Sequence, residues 1–164
     1  GYGAWAVLTR FLLLDFRETV SLEVLINKSC APLLIPIELR GQELIIRAEG
    51  NFYGDPAWTS EAVGNILKNC MEHTPDGGKI EIEAAENALY SEIVIKDNGT
   101  GISPEDLPHI FERFYKGKDS DGKSFGIGLA LSRMIIAGQK GTVKAENRKN
   151  AGAMFTLRFY KGTV

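Results

Sequence analysis

Apolar residues recur at helical spacing in three stretches of this chain, which predicts three amphipathic helices. The first helix covers 21–40, but we expect a break near Pro32 and Pro36, because proline lacks the backbone N–H that a helix interior uses. The second covers 55–73 and begins with an Asp-Pro pair, which is typical of a helix start. The third covers 126–138. Together these helices should form one layer of the fold.

Five shorter stretches read as strands, two of them with clear alternation between apolar and polar residues. They lie at 42–48, 80–84, 92–97, 142–146 and 153–159. A turn at 87–91 joins the second strand to the third as a hairpin, and a turn at 147–150 joins the last two. The inventory predicts an α+β two-layer sandwich. Its sheet should be mixed, mostly antiparallel, with about five strands and about three helices on one face.

Two further segments are less regular. A short helix is expected after Ser103, with Ser103 and Asp106 forming a capping box at its start. Between Tyr115 and Phe125 the chain consists largely of Lys, Gly, Asp and Ser, without apolar periodicity. Such a composition cannot bury enough apolar surface to offset the entropy of ordering it, so we expect a mobile loop there.

The helix at 55–73 carries an unusual polar stripe. At about 100° per residue, its apolar side is formed by Val63, Ile66, Leu67 and Cys70, and its polar side by Asn65, Asn69, Glu72 and His73. Asn prefers caps and turns, so two Asn residues one turn apart indicate that their side chains are used. A carboxamide oxygen is a suitable ligand for Mg²⁺. A solvated face that happens to be rich in amides is the alternative.

Composition limits the possible functions. With 164 residues, 44% hydrophobic and 24% charged, the chain suits one globular domain. A formal net charge of −2 argues against nucleic-acid binding, which needs a concentrated basic surface. Arg10, Asp15 and Arg17 interrupt the apolar run at 11–14, so we expect no direct membrane insertion of this fragment.

The two cysteines, Cys30 and Cys70, both lie in apolar helical patterns. We interpret them as reduced thiols in the core, which favours a reducing compartment. A disulfide between them is the alternative.

Four motifs follow one another along the chain. They are NILKNCMEH at 65–73, DNGTG at 97–101, FERFYK at 111–116 and GIGLAL at 126–131. In this order the chain resembles the ATP-binding catalytic domain of bacterial sensor histidine kinases, whose superfamily includes DNA gyrase B, MutL and a heat-shock chaperone. The resemblance covers 51–159 and implies a Bergerat-type ATP-binding fold.

The resemblance assigns adenine recognition to Asp97. A carboxylate at a strand end can accept a hydrogen bond from the exocyclic amine of adenine, whereas guanine offers an acceptor there, so ATP is favoured over GTP. Gly99 and Gly101 would let the backbone approach the base, and Ile102 would pack on it. An ordinary turn residue in an Asp-Asn-Gly sequence is the alternative interpretation of Asp97.

The resemblance also implies that the catalytic residues are Asn65, Asn69 and Lys116. Asn69 matches the Mg²⁺ ligand, and Asn65 stands where ATP-hydrolysing relatives carry a Glu that activates water. Without that general base, hydrolysis should be slow and the γ-phosphoryl group is left for a histidine side chain. Lys116 stands where many family members have an Arg near the γ-phosphate, and it supplies charge without the bidentate fork.

The remaining nucleotide contacts come from the end of helix 55–73 and from the later motifs. Glu72 stands where the kinases commonly have a Lys, so one phosphate contact should be missing. His73 would contact ribose or phosphate, with a plain surface histidine as the alternative. The other residues that the resemblance assigns to nucleotide binding are Phe114, Tyr115, Ser124, Phe125, Gly126, Ile127, Gly128 and Leu129.

Gly126 and Gly128 should open the last helix, where free N–H groups and the helix dipole favour phosphate. Ser124 replaces a glycine of the kinase pattern and Phe125 a small residue, which makes this loop stiffer. The segment 115–125 is expected to be a lid that a triphosphate orders. Phe114 and Tyr115 should anchor its near end by packing on the body of the domain.

The expected function is phosphoryl transfer from ATP to a histidine that this chain lacks, since neither His73 nor His109 precedes an acidic residue and an Arg. The expected partners are histidine-bearing dimerisation helices, in cis in the full protein, and a response regulator, in the cytoplasm. Residues 1–18 would be the remnant of a dimerisation helix or linker, and 19–164 the catalytic domain. The alternatives are a non-catalytic nucleotide-sensing or scaffolding module and a serine kinase of the anti-sigma-factor type.

Overall fold

The chain forms a main sheet with helices packed on one side of it. The structure is a computed structural model that describes residues 16–115, 117 and 128–162. The strands in this part of the chain are β1 (Glu18–Ser21), β2 (Glu43–Ala48), β3 (Asn51–Gly54), β4 (Lys79–Glu86), β5 (Tyr90–Asp97), β6 (Gly141–Asn147) and β7 (Ala153–Tyr160). Its α-helices are α1 (Leu22–Cys30), α2 (Leu34–Leu39), α3 (Pro56–His73) and α4 (Gly128–Gly138). Single 3₁₀ turns cover Ala31–Leu33 and Leu107–His109.

Five strands form the main sheet in the order β2-β4-β5-β7-β6. Strand β2 runs parallel to β4, and the other three neighbouring pairs are antiparallel. The hairpin of β4 and β5 pairs Ile82 with Ile95, and that of β6 and β7 pairs Val143 with Leu157. The predicted mixed, mostly antiparallel sheet of five strands is therefore confirmed.

A second sheet, formed by β1 and β3 alone, is absent from the pattern-based prediction. Each of its antiparallel strands has four residues, which is too short for an alternating pattern to be detected. Val20 faces Phe52, whose buried ring meets Phe159 edge to face with the centroids 4.9 Å apart. Packing against β7, rather than local pattern, therefore determines this small sheet.

The core lies between the inner face of the main sheet and the helices. Alternate residues of the central strands are fully buried, among them Ile80 and Ile82 on β4 and Ile93 and Ile95 on β5. The opposite face is polar and carries ion pairs between neighbouring strands, such as Lys96 with Glu83 at 3.2 Å. Because such exposed pairs contribute only about 0–1 kcal/mol each, burial on the helix side holds the two layers together.

Two helices begin at the capping residues that the sequence predicts. Ser21 accepts a hydrogen bond from Val24 N at 3.0 Å, and Asp55 Oδ1 accepts one from Trp58 N at 2.9 Å. The first predicted helix breaks at the expected place, since Pro32 lies in a 3₁₀ turn between α1 and α2. None of the described helices combines the length and apolar content that crossing a membrane requires.

Gln139 ties the beginning of α3 to the end of α4. Its Oε1 accepts a hydrogen bond from Asp55 N at 2.7 Å, and its Nε2 donates to Thr59 Oγ1 at 2.8 Å. All three side chains are buried, so these bonds form in a region without competing water. The clamp fixes the position of α3 against α4, and both helices contribute to the site described below.

The predicted capping box after Ser103 is wrong. A 3₁₀ turn at Leu107–His109 replaces the expected helix, and the side chain at its N-cap, Asp106, makes no capping hydrogen bond. Asp106 Oδ1 instead accepts a hydrogen bond from the Tyr115 hydroxyl at 2.8 Å. The Asp106 carboxylate, which the local pattern assigns to a helix cap, therefore binds the Tyr115 side chain instead. Of the loop predicted at 115–125, only Tyr115 and Gly117 belong to the described residues.

Both cysteines are free and buried, as predicted. Burial raises the pKa of the Cys30 thiol from its ordinary value of 9.0 to about 11. Between these two values the unfolded chain loses the thiol proton while the native chain keeps it, so the native state binds more protons. The free energy of unfolding must then fall as pH rises above 9.0.

We expect Cys30→Ala to reduce this alkaline loss of stability, because it removes a group that ionises only on unfolding. Urea unfolding of the wild type and the variant at about pH 8 and about pH 10.5 measures the difference. The variant will be less stable at both values because it loses buried volume. If the free energy of unfolding falls by the same amount between these pH values in both proteins, Cys30 has an ordinary pKa in the native state.

Candidate functional site

Asp97 ends strand β5 on the inner face of the sheet. It continues the row of buried positions formed by Ile93 and Ile95, and only 1% of its surface is exposed. Its Oδ1 accepts hydrogen bonds from Gly99 N at 2.9 Å and from Ala153 N at 3.2 Å. A carboxylate in an otherwise apolar core is therefore held in one orientation by backbone groups of two segments.

The glycine motif after Asp97 packs directly on the end of α3. A Cβ at Gly99 would lie 2.1 Å from the His73 carbonyl oxygen, so no other residue fits there without moving the backbone. Gly101 adopts a φ of +76°, and its Cβ would lie 2.8 Å from Asn147 Oδ1. The motif thus brings the strand end that carries Asp97 into contact with the helix that carries the amide stripe.

The turn between β6 and β7 supports the same strand end, a role that the sequence analysis misses. Asn147 Nδ2 donates to the Ile102 carbonyl at 2.7 Å, and its Oδ1 accepts from Ile102 N at 2.8 Å. Arg148 Nη1 donates to the Asp97 carbonyl at 2.8 Å. A Cβ at Gly152 would lie 1.9 Å from that carbonyl oxygen. No local pattern marks these contacts, since each spans about 45 residues or more.

Helix α3 has the predicted orientation. The four apolar residues of its inner side are fully buried, whereas Asn65, Asn69 and His73 are half-buried and Glu72 is exposed. Asn65 Nδ2 donates to the Gly128 carbonyl at 3.3 Å, so the N-terminal end of α4 lies against the amide stripe. Within the described part of the chain, the Asn69 side chain makes no hydrogen bond and is available to a ligand.

One prediction for the segment 111–115, the packing of Phe114, is wrong. Phe114, expected to pack on the domain, has 65% of its surface exposed and adopts a φ of 63°. The backbone reverses at this residue and points the ring to solvent, and Phe111 instead packs edge to face on Phe155.

Tyr115 contacts the 3₁₀ turn that precedes it in the chain. Its ring stacks on His109 with the centroids 5.1 Å apart, and its hydroxyl donates to Asp106, which raises the pKa of Tyr115.

The structure brings together some of the predicted site residues and leaves others untested. Gly99, which donates to Asp97, packs on the C-terminal end of α3, while Gly101 and Ile102 lie against Asn147. Gly128 and Leu129 open α4 beside Asn65. Ile102 is buried in the core. The predicted residues that lie outside the described part of the chain are Lys116, Ser124, Phe125, Gly126 and Ile127.

A groove of about 800 Å³ lies elsewhere on the domain, between α1 and the β2 edge of the sheet. Four carboxylates and one guanidinium line it, which makes it unsuitable for a triphosphate. None of the predicted site residues belongs to its lining. The charged residues are Glu23, Arg47, Glu49, Glu83 and Glu92.

Comparison with known proteins agrees with this geometry. Residues 54–163 match the family described as Histidine kinase-, DNA gyrase B-, and HSP90-like ATPase. The heme sensor protein HssS of Staphylococcus saprophyticus is 30% identical over 151 residues, which are 90% of this chain and 32% of HssS. The sensor histidine kinase CusS of Escherichia coli is 36% identical over 110 residues, 65% of this chain and 23% of CusS.

A similar fold occurs in the catalytic domain of the histidine kinase ThkA. The two structures align with a TM-score of 0.78 at 23% identity, covering 88% of this chain and 95% of that domain. The fold is thus the Bergerat type that the motif order implies. Since the family match covers more than half of the residues, this chain belongs to the histidine kinase-, DNA gyrase B- and HSP90-like ATPase family.

Proposed function

We propose that this chain is the ATP-binding catalytic domain of a two-component sensor histidine kinase. The observation that carries the proposal is the buried carboxylate of Asp97, oriented by two backbone amides at a strand end that adjoins the amide stripe of α3. Family membership supports ATP as the ligand. The chain spans about a third or less of the length of these curated relatives.

Asp97 has the chemistry that adenine recognition needs. An ionised carboxylate offers about four acceptor positions, of which Gly99 N and Ala153 N occupy two. A remaining position can accept from the exocyclic amine of adenine. Guanine presents a carbonyl oxygen at that place, and two acceptors facing each other repel. This chain should therefore prefer ATP and ADP to the guanine nucleotides.

The phosphates would lie between α3 and the N-terminal end of α4. Helix N-termini present unpaired N–H groups and a partial positive charge to an anion, and Gly128 and Leu129 occupy this position. His73 would contact ribose or phosphate from the end of α3. The role of 115–125 as a lid stays a prediction. The same holds for the nucleotide contacts of Lys116, Ser124, Phe125, Gly126 and Ile127.

Asn69 fits a magnesium ligand. Its amide is half-buried on the polar stripe and unengaged within the described residues, and a neutral oxygen leaves the other coordination positions to waters and phosphate oxygens. Bound Mg²⁺ would neutralise charge on the phosphates during transfer. Asn65 cannot act as a general base, because an amide does not take up a proton at neutral pH and its Nδ2 already donates to Gly128. Water is therefore left unactivated, which preserves the phosphoryl group for a histidine.

We expect Asn69→Ala to abolish the Mg²⁺ dependence of nucleotide binding while leaving the fold intact, because the side chain faces away from the core. Calorimetric titration with ADP, with and without Mg²⁺, measures this dependence. Asn27→Ala is the matched control, since Asn27 is an exposed helical Asn on α1. Full magnesium dependence in Asn69→Ala, or its loss in both variants, would contradict a ligand role for Asn69.

The phosphoryl acceptor would be a histidine on dimerisation helices, in cis in the full protein, and a response regulator would receive the group next. In this proposal residues 19–164 are the catalytic domain in the cytoplasm and 1–18 belong to a dimerisation helix or linker. A non-catalytic nucleotide-binding module is the second candidate. It is favoured by Glu72, an exposed carboxylate on the stripe that would face the phosphates.

An assay with radiolabelled Mg·ATP and a separate histidine-bearing helical hairpin tests the proposal. A kinase domain should transfer the label to the hairpin as acid-labile, alkali-stable phosphohistidine. Binding of ATP without transfer would favour the non-catalytic module. Acid-stable phosphoserine on an added protein partner would identify a serine kinase of the anti-sigma-factor type. In either of these cases the proposed activity is wrong.

A further inference from the structure

Strand β2 forms an open edge of the main sheet. It pairs with β4 on one side, and within the described part of the chain no strand pairs with its other side. Glu43 N donates to the Gly78 carbonyl at 2.8 Å, so Glu43 and every second residue after it bond towards β4. The N–H and C=O groups of Leu44 and Ile46 therefore point away from the sheet.

The side chains of β2 leave apolar surface exposed at this edge. Leu44 and Ile46 lie beside Ile80 and Ile82 of β4 on the inner face, but they are only half-buried, whereas their two neighbours are fully buried. Ile45 is half-buried on the outer face. An edge with consecutive apolar residues and unpaired backbone groups can pair with another strand.

The opposite edge of the sheet, β6, is protected against such pairing. Its central residue, Lys144, has 73% of its side chain exposed and forms an ion pair with Glu146 on the same strand. A lysine in the middle of an edge strand opposes the approach of another strand. The centre of β2 carries no charge, because its charged residues, Glu43 and Arg47, stand two positions on either side of Ile45.

The charges of β2 are complementary to those of a second copy of the same strand. A two-fold axis through Ile45, perpendicular to the sheet, would place Glu43 opposite the partner's Arg47 and Arg47 opposite the partner's Glu43. Ile45 would face the partner's Ile45 between these two pairs. Glu43 and Arg47 are exposed and form no ion pair with any described residue, so both charges are available.

The directions of the backbone groups agree with this register. Leu44 would lie opposite the partner's Ile46, and both residues direct their N–H and C=O groups at the other strand, so they can exchange hydrogen bonds. Ile45 would occupy a position without hydrogen bonds, where facing side chains approach most closely. A shift of the axis to Ile46 would place Glu43 opposite the partner's Glu49, and these like charges would repel.

We propose that β2 is a homodimerisation edge, at which a second copy of this chain adds its own β2 in antiparallel orientation and joins the two main sheets into one. The proposal goes beyond nucleotide binding and does not depend on it, because none of the residues assigned to the nucleotide lies on β2. The groove between α1 and β2 opens on this edge and leaves room for the added strand. The adjoining helix α2 exposes Ile35 and Leu39, which adds apolar surface near the edge.

Charge reversal tests the pairing of Glu43 with Arg47. In sedimentation equilibrium the 164-residue chain should shift from its 18.0 kDa monomer towards a dimer as its concentration rises to about 500 μM, since a small interface binds weakly. Glu43→Arg and Arg47→Glu should each weaken the dimer about tenfold, because each variant places like charges opposite one another. The double variant Glu43→Arg/Arg47→Glu should restore the wild-type affinity.

A disulfide tests the position of the two-fold axis. Facing Cα atoms at a position without hydrogen bonds lie about 4.5 Å apart, which a disulfide can span. Under mild oxidation Ile45→Cys should therefore cross-link to a second copy about tenfold faster than the control Leu89→Cys, because pairing raises the local concentration of the two thiols. Leu89 is an exposed apolar residue between β4 and β5, and the native cysteines, Cys30 and Cys70, are buried.

Three results would overturn the proposal. They are a wild-type chain that stays monomeric, a dimer that the charge reversals leave unchanged or the double variant does not restore, and equal cross-linking rates for Ile45→Cys and Leu89→Cys. A basic strand of another protein would then be the better occupant for this edge, since the adjacent groove is acidic. Thermal unfolding checks that each variant keeps its fold. A chain that dimerises but binds no ADP would overturn the proposed function alone.

Discussion

Asp97→Asn should weaken the binding of Mg·ADP and Mg·ATP by about 1.5–3 kcal/mol, or about 10- to 150-fold in affinity. The structure explains why the amide cannot compensate by rotating. Gly99 N and Ala153 N both donate to Oδ1, so the amide oxygen must take that position to keep these bonds. The NH₂ group of the new side chain then faces the adenine amine, and two donors meet.

Calorimetric titration of each variant with Mg·ADP measures this effect. Asp55→Asn is the matched control, because Asp55 is also a buried carboxyl group and Asn caps helices as well as Asp does. The control should bind ADP as the wild type does. Unchanged affinity in a folded Asp97→Asn protein would remove Asp97 from the nucleotide site and leave it a turn residue.

Gly152→Ala should lower the free energy of unfolding by at least about 3 kcal/mol, a loss typical of a backbone clash combined with strain. The new Cβ would lie 1.9 Å from the Asp97 carbonyl oxygen and 2.6 Å from its carbon. Both are backbone atoms of a central strand, which cannot move without breaking the sheet. The residue also has a φ of +91°, where a side chain is unfavourable.

Urea unfolding separates these two causes when Gly77→Ala is the control. Gly77 has a comparable φ of +79°, but its Cβ would have no neighbour within 4 Å, so only the cost of the conformation remains. We expect about 1–2 kcal/mol for the control. If Gly152→Ala costs no more than Gly77→Ala, the β6–β7 turn moves freely and does not hold Asp97 in place.

Local patterns predict the regular elements well because their physical causes are local. The phase of α3, with Ile66 and Cys70 inside and Asn65 and Asn69 outside, follows from helical geometry alone. Its start at Asp55 follows from capping within one turn. The strands of the main sheet likewise follow from burial of one face.

Where the predictions fail, contacts outside the local pattern decide the local structure. The carboxylate of Asp106 binds the Tyr115 hydroxyl instead of capping a helix. Phe114 is exposed because the backbone reverses at that residue, while Phe111 packs on Phe155. The strands β1 and β3 are too short to show a pattern of their own, and their sheet is placed by the packing of Phe52 on Phe159 of β7.

The sequence by itself determined the long helices, the strands of the main sheet, the family and the residue types that nucleotide chemistry requires, since periodicity, capping and motif order are properties of neighbouring residues. Only the tertiary structure decided what surrounds Asp97. Ala153 N and the guanidinium of Arg148 reach it from residues 56 and 51 positions away in the chain. Contacts over such separations depend on how sheet and helices pack, which no local pattern contains.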